Sequence, residues 1–159
     1  MPKVYTLSIH SAAFMSIAFS LTAQIGDPSL SHDSLALSPL AQHILWEQGT
    51  ERAFTGMYWD HFEPGAYACI HCGHVLFDSA SKFESHCGWP SFSAPAEESG
   101  ITYHTDLSHG MRRVEVRCSL CKGHLGHVFE DGPMPSGQRF CINSAVLEFR
   151  GEKNHQKTP

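Results

Sequence analysis

The chain has 159 residues, of which 42% are hydrophobic and 17% charged, and its formal net charge is -5. This length suits one domain with its own hydrophobic core, and the composition excludes a disordered or membrane-filling chain. The charge disfavours a nucleic-acid partner, because neutralising phosphates requires clustered Lys and Arg side chains.

Residues 1–23 have features of a secretory signal peptide. Lys3 precedes an apolar stretch from Ala12 to Leu21, and Leu21-Thr22-Ala23 is a candidate cleavage site. The stretch is too short to span a bilayer, so we expect no stable membrane association. Several serines weaken this signal, and an uncleaved extension is the alternative. The first reading predicts an exported or periplasmic protein, and the second a cytoplasmic one.

The remaining boundaries follow from composition. Gln24–Ser38 is rich in Ser, Asp, Gly and Pro, as linkers are. We therefore assign residues 1–36 to an N-terminal extension and residues 37–151 to the folded domain. Residues 152–159 are polar and form a predicted tail.

A short helix is predicted at the start of the domain. Ser38 is a suitable N-cap, Pro39 fits the first helical position, and Gly49 can close the end. The apolar face of this helix is predicted from residues at helical spacing, with an aromatic residue beside them: Leu40, Ile44, Leu45 and Trp46.

From Thr50 onward, short strand patterns are separated by glycine and proline. In the clearest pattern, Val114 and Val116 alternate with Glu115 and Arg117. This spacing predicts a mainly β, antiparallel domain with little helix. The predicted strands cover Gly65–Ala68, Val75–Phe77, Met111–Arg117, Arg139–Asn143 and Ala145–Phe149.

Four of the six cysteines form two C-x-x-C pairs, Cys69 with Cys72 and Cys118 with Cys121. Each pair lets a tight turn aim two sulfurs at one point, and two such turns supply four thiolate ligands for a closed, structural Zn²⁺ site. Disulfides and redox pairs are alternatives. A redox C-x-x-C usually begins a helix, and neither pair does so. Histidines near the pairs are rival ligands: His71, His74 and His124.

Cys141 lies outside the predicted zinc site, in Arg139-Phe140-Cys141-Ile142-Asn143. In a strand, Arg139, Cys141 and Asn143 share one face, while Phe140 and Ile142 face the core. A guanidinium and an amide beside a thiol favour a reactive thiolate. The alternative is a small buried hydrophobic residue, which is how free cysteine often behaves.

Two further motifs carry candidate site residues. His124 and His127 flank a glycine and are candidate proton donors near neutral pH. In a regular strand they would point to opposite faces, so both reach one site only if the chain bends at Gly126. Trp89, held between glycine and proline, is a rigid aromatic surface for an apolar group. A surface or structural histidine and a core-packing tryptophan are the alternatives.

Taken together, these motifs resemble the zinc-containing B-type methionine sulfoxide reductases, from about residue 49 to residue 149. One departure is His86, where that family often has glycine. The ordered motifs that carry the resemblance are the two C-x-x-C pairs, Gly49–Gly56, Gly88–Phe92, His124–Phe129, Asp131–Pro133 and Arg139–Asn143.

The resemblance implies a fold of two antiparallel β-sheets stapled by one structural zinc ion, with no organic cofactor. It also implies that Cys141 attacks the sulfur of methionine-R-sulfoxide, forming a sulfenic acid. Cys87 would resolve this acid as a disulfide, which thioredoxin would reduce. Protonation by His127, polarisation by His124 and Asn143, and activation by Arg139 complete the implied catalytic set. The implied substrate-binding residues are Trp89, Phe140 and Asp131, and Asp131 is expected to hold an imidazole.

Oxidised proteins or free methionine sulfoxide are the implied substrates of a monomeric enzyme. A protein-binding zinc ribbon is the rival from another class, but it would lack the Arg139–Cys141–Asn143 face and the spare Cys87. A general thiol–disulfide oxidoreductase would place Cys141 in a C-x-x-C pair, which the sequence does not do.

Overall fold

The fold is described from a computed structural model that covers residues 37–152. The predicted signal peptide at 1–23, the linker and the polar tail after residue 152 lie outside the described residues. Within 37–152, no helix is both long enough and apolar enough to cross a membrane.

Helix α1 spans Pro39–Glu47 and begins where predicted. The Ser38 hydroxyl accepts a hydrogen bond from the Ala41 N–H at 3.1 Å, which makes Ser38 the N-cap. At the other end Gln48, not Gly49, adopts the left-handed conformation, with φ of 57°. Gly49 closes the helix through its N–H, which donates to the His43 carbonyl at 3.1 Å.

The buried face of α1 is rotated by one residue from the prediction. Ala41, Ile44 and Leu45 are buried, whereas Leu40 is 45% exposed. Positions 41, 44 and 45 lie along one side of a 3.6-residue helix, so a small alanine contributes to the face where leucine was expected.

Within residues 37–152, nine strands form two antiparallel sheets, which confirms the predicted fold class. The strands are β1 Gly65–Cys69, β2 Val75–Asp78, β3 Lys82–Phe83, β4 Ser91–Phe92, β5 Ile101–Asp106, β6 Arg113–Cys118, β7 His124–Phe129, β8 Arg139–Ile142 and β9 Leu147–Gly151. The smaller sheet has the order β2-β1-β9, and the larger has the order β3-β4-β8-β7-β6-β5.

Aromatic side chains from both sheets meet in the core. Phe77 of β2 stacks on Phe92 of β4 with ring centroids 4.4 Å apart, and Tyr67 of β1 meets the same ring edge-on at 5.1 Å. Phe140 of β8 packs against Phe77 at 5.8 Å. Since all four side chains are fully buried, their burial stabilises the packing of one sheet on the other.

Strand β6 departs from the predicted alternation. Val114 is 42% exposed, and Glu115 is 3% exposed. The Glu115 carboxylate accepts hydrogen bonds from Arg117 at 2.8 Å and pairs with His124 at 2.7 Å. These partners compensate the cost of burying the charge, and they draw Glu115 towards the site described next.

Candidate active site

The register of the larger sheet places Cys141 between two polar neighbours. Cys141 on β8 lies directly opposite Ser91 of β4 on one side and His127 of β7 on the other. His127 in turn lies opposite Glu115 of β6. Directly paired residues point their side chains to the same face of a sheet. The thiol, the imidazole and the carboxylate therefore form one row across the strands.

A β-bulge brings the second histidine to the same face. Val116 pairs with Gly126 and Arg117 pairs with His124, so Leu125 is an extra residue on β7. This is the bend that the sequence required, and the His124 and His127 rings lie 5.4 Å apart. Glycine is needed beside the bulge because a side chain at Gly126 would overlap the Cys141 carbonyl oxygen.

Asp106, at the end of β5, holds the His127 ring. Its Oδ2 lies 2.8 Å from His127 Nε2 and 2.7 Å from Arg113 Nη2. Burial lowers the pKa of His127 below its ordinary value of 6.5, and the hydrogen bond to Asp106 opposes this shift. The carboxylate fixes a proton on Nε2, so the proton that His127 can give away is carried on Nδ1.

His124 is held by Glu115 and lies deeper than His127. Its side chain is 3% exposed, and its Nδ1 is 2.7 Å from Glu115 Oε1. Burial lowers the pKa of His124, and Glu115 opposes the shift. Its Nε2 has no hydrogen-bond partner within residues 37–152. His124 therefore lies deeper than His127, and its pair with Glu115 links β7 to β6.

Asp131 differs from its expected role. Its carboxylate accepts two hydrogen bonds from the Arg139 guanidinium, both 2.8 Å long, and contacts neither imidazole. Asp106 and Glu115 hold the imidazoles instead. A bidentate pair fixes the plane of the guanidinium, so Asp131 orients Arg139, which packs over the Phe129 ring at 4.6 Å.

Cys87 and Cys141 are close enough to react with each other. Their sulfurs are 3.8 Å apart, and both residues are partly buried. Hydrogen bonding from Cys141 lowers the pKa of Cys87 to about 4; burial opposes this shift, and hydrogen bonds from Ser85 and Ser91 add to it. The hydrogen bond to Cys87 and burial raise the pKa of Cys141, while Arg139 lowers it. The pair thus shares one negative charge and one proton.

A cavity of about 200 Å³ opens onto Cys141. Its walls combine an aromatic surface, an imidazole and an amide, which suits a small group that is apolar at one end and polar at the other. The lining residues are Thr50, Trp89, Arg113, Gly126, His127, Phe129, Cys141 and Asn143.

Phe140 was expected to bind substrate, and the structure corrects this. Its side chain is fully buried, packs against Phe77 in the core and lies beside the exposed Tyr103, on the sheet face opposite Cys141. Alternation along a strand makes this unavoidable for the residue next to the nucleophile. Phe129 of β7, which pairs with Arg139 of β8, lines the cavity instead.

Glu51 is only 4% exposed, and its hydrogen bonds connect three parts of the site. Its carbonyl accepts from the Trp89 indole N–H at 3.2 Å, and its N–H donates to Asn143 Oδ1 at 3.0 Å. Its carboxylate accepts from the N–H groups of Ser144 at 2.6 Å and Ala145 at 2.9 Å. Glu51 therefore fixes the aromatic wall relative to the end of the catalytic strand.

The four remaining cysteines form the predicted cluster, with all four sulfurs within 4.8 Å of one another. The Cys69–Cys121 and Cys72–Cys118 sulfur distances are 3.7 and 3.6 Å. A tetrahedral Zn²⁺ ion with bonds of about 2.3 Å separates its sulfur ligands by about 3.8 Å, so the cluster fits zinc. It joins the β1–β2 turn of the smaller sheet to the β6–β7 turn of the larger one.

Asp106, Glu115, Arg113 and Glu51 belong to the site and were not singled out from the sequence. The first three reach it through cross-strand pairing on β5 and β6, which no local pattern reveals. Glu51 lies within the Gly49–Gly56 motif, so that motif was the available signal. A second, polar cavity of about 180 Å³ is lined in part by Asp106, Glu115 and both histidines.

A paired-cysteine centre with a held imidazole, on a β scaffold joined by a four-cysteine cluster that could hold a metal ion, defines a cysteine-dependent redox enzyme. The SelR domain profile matches residues 37–151. The chain belongs to this family, the B-type methionine sulfoxide reductases.

Three similar proteins are each named peptide methionine sulfoxide reductase MsrB. The protein of Acinetobacter baylyi is 52% identical over 123 residues, covering 77% of this chain and 88% of its own. That of Thiobacillus denitrificans is 57% identical over 113 residues, covering 71% and 86%. That of Bradyrhizobium diazoefficiens is 55% identical over 113 residues, covering 71% and 81%.

Proposed function

We propose that this protein reduces methionine-R-sulfoxide, protein-bound or free, to methionine by way of a Cys141 sulfenic acid. The observation that carries the proposal is the cavity in which Trp89, His127 and Asn143 surround the Cys141 sulfur, with a second thiol 3.8 Å away. Family membership supplies the reaction class, and these residues supply the steps.

The substrate sulfoxide has a polar oxygen and an apolar methyl group on one sulfur. His127 and the free N–H of the Asn143 amide are the donors for the oxygen, while the Trp89 ring packs on the methyl. One Asn143 amide hydrogen is already bound to the Leu125 carbonyl at 2.9 Å, which fixes the orientation of the other. When the oxygen and the methyl group are both held, only one epimer of the sulfoxide can present its sulfur to Cys141.

In the first step the Cys141 thiolate attacks the sulfoxide sulfur. Before this attack the shared proton moves from Cys141 to Cys87, and Arg139 stabilises the negative charge that Cys141 then carries. The sulfoxide oxygen passes to Cys141 as the sulfenic acid and receives its proton from His127, and methionine leaves. Two electrons move from the cysteine sulfur to the substrate sulfur.

In the second step Cys87 condenses with the sulfenic acid. A sulfur–sulfur bond forms, the sulfur–oxygen bond of Cys141 breaks, and the oxygen leaves as water. A sulfenic acid over-oxidises unless a thiol is close, and the 3.8 Å sulfur distance supports Cys87 in this role. Thioredoxin, a dithiol reductant, then restores both thiols. All the side chains involved belong to one chain, which supports a monomeric enzyme.

Zinc takes no part in these steps. Four thiolates fill a tetrahedral shell and leave no open position for substrate. We therefore assign one structural Zn²⁺ per chain to Cys69, Cys72, Cys118 and Cys121, with no organic cofactor.

The direct test is turnover of each sulfoxide epimer with dithiothreitol as reductant. We expect methionine from the R epimer only, and none from either epimer with Cys141→Ser. With thioredoxin as the reductant, Cys87→Ser should form one methionine per chain and then stop. Comparable turnover of the S epimer, or activity that survives Cys141→Ser, would reject the proposal.

A further inference from the structure

Two hydroxyl groups surround the Cys87 sulfur, and the steps above do not use them. Ser85 Oγ lies 3.0 Å from Cys87 Sγ and 2.7 Å from Ser91 Oγ, and Ser91 Oγ lies 3.5 Å from the same sulfur. Ser91 is 1% exposed, so water does not replace its partners.

The sheet and a turn build this arrangement from separate parts of the chain. Ser91 lies directly opposite Cys141 in the β4–β8 pair, so its hydroxyl is fixed beside the nucleophile. Ser85 and Cys87 flank His86, whose φ of 56° is in the left-handed region. This conformation turns Ser85 and Cys87 towards Ser91.

The Ser91 hydroxyl can donate to Ser85 Oγ at 2.7 Å or to the Trp89 carbonyl at 3.3 Å, and Ser85 is the nearer acceptor. If Ser91 donates to Ser85, the one hydrogen of Ser85 is free to point at Cys87, and the chain of hydroxyls ends on the sulfur. Each donor in such a chain strengthens the next. A protonated Cys87 has a different partner, since the Trp89 carbonyl lies 3.6 Å from its sulfur. The surroundings therefore serve both protonation states of Cys87.

We infer that Ser85 and Ser91 form a thiolate-binding hydroxyl pair that holds Cys87 as the anionic nucleophile of the resolving step. This inference rests on the proposed function, in which Cys87 attacks the Cys141 sulfenic acid. Once Cys141 is oxidised its sulfur carries no hydrogen to donate to Cys87, and the hydroxyl chain from Ser91 through Ser85 still ends on the Cys87 sulfur. Cys87 releases its proton to solvent when it ionises, and the hydroxide that leaves Cys141 takes up one proton from solvent to become water, so atoms and electrons balance as in the second step above.

Other charges near Cys87 are few within the described residues. Cys141 and Arg139, both on β8, face it. Glu84 and His86 flank it in sequence, and their side chains pair with each other at 3.4 Å while both are largely exposed. Replacing Ser85 alters none of these groups, so a change in the titration of Cys87 between variants with the same residue at position 141 reports on the hydroxyl.

The experiment is alkylation of Cys87 by iodoacetamide as a function of pH in the Cys141→Ser protein, where turnover is not needed. Because a hydrogen bond to a charged group is worth more than one to a neutral group, Ser85→Ala should raise the alkylation midpoint by about one pH unit. Ser85→Thr keeps the hydroxyl and should restore the midpoint. Ser93→Ala is the matched control, since its hydroxyl donates to the Ser81 carbonyl at 3.1 Å and should leave the midpoint unchanged.

With Cys141 present, Ser85→Ala should also slow disulfide formation after one turnover. A midpoint that Ser85→Ala does not move relative to Ser93→Ala would overturn the inference, whatever the enzyme reduces. A wild-type protein that reduces neither sulfoxide epimer would reject the proposed function alone, because the alkylation midpoint does not depend on turnover.

Discussion

At the scale of single residues, the protonation of His127 is the property most open to test. Its pKa lies below 6.5 because it is buried, and Asp106 raises it from a still lower value. Only the protonated ring can donate to the sulfoxide oxygen. The rate of methionine formation in a single turnover should therefore rise as pH falls through the pKa of His127 and decline at higher pH.

Asp106→Asn should shift the pH profile of methionine formation to lower pH. Removing the carboxylate removes the interaction that favours the charged imidazole, so the pKa falls and the midpoint shifts to lower pH. Asp131→Asn is the control, because Asp131 contacts Arg139 and neither imidazole. A midpoint that rises in Asp106→Asn, or that moves equally in both variants, would contradict the assignment of Asp106 to His127.

Glu51 provides a second residue-scale prediction. Glu51→Gln replaces one carboxylate oxygen by an NH₂ group, so a buried N–H of Ser144 or Ala145 loses its acceptor. Such a loss costs about 1–3 kcal/mol of unfolding free energy, measurable by urea denaturation. Because Glu51 also fixes Trp89 and Asn143, KM for methionine sulfoxide should rise. Glu97→Gln, at an exposed position, should change neither quantity.

At the scale of elements, the two C-x-x-C turns, Cys69–Gly73 and Cys118–Lys122, have the same backbone hydrogen bond but end in different residues. The N–H after the second cysteine of each pair donates to the carbonyl of the first, Gly73 to Cys69 at 2.8 Å and Lys122 to Cys118 at 3.0 Å. Both donors are left-handed, with φ of 70° and 64°. Glycine adopts this conformation without cost, whereas other residues do not.

Substitutions at these two positions should therefore have opposite effects on the free energy of unfolding. Lys122→Gly should stabilise the protein by up to about 1 kcal/mol, and Gly73→Ala should destabilise it by about 1 kcal/mol. Thermal unfolding of the zinc-loaded protein measures both. A Lys122→Gly protein that unfolds at a lower temperature than wild type would show that the lysine side chain outweighs the backbone strain.

The elements that could be predicted from the sequence are those with a local signal. The C-x-x-C pairs, the Ser38-Pro39 helix start and the Arg139–Asn143 pattern are local signals, and each predicted its element. Strands β3 and β4 have two residues each, which is too short for a periodic pattern. Asp106 and Glu115 could not be assigned to the histidines because their proximity depends on cross-strand register, and the bulge at Leu125 cannot be located without the partner strand.

At the scale of the whole molecule, the zinc site should determine whether the two sheets stay together. Cys121→Ser leaves three thiolates, so binding energy that contributes to folding is lost. We expect loss of the bound zinc and a fall in the melting temperature of about 10 °C or more. Cys87→Ser, which removes a cysteine outside the cluster, should keep one zinc per chain. Well-folded wild-type protein without zinc would refute the assignment.

The central claim is that Cys141 and Cys87 together reduce one methionine sulfoxide per chain. Mass spectrometry after a single turnover with the R epimer, without added reductant, tests this most directly. The account predicts one methionine formed per chain, two thiols lost and a peptide that links Cys87 to Cys141. A stable sulfenic acid on Cys141 with Cys87 still free, or methionine formed with all thiols intact, would contradict it.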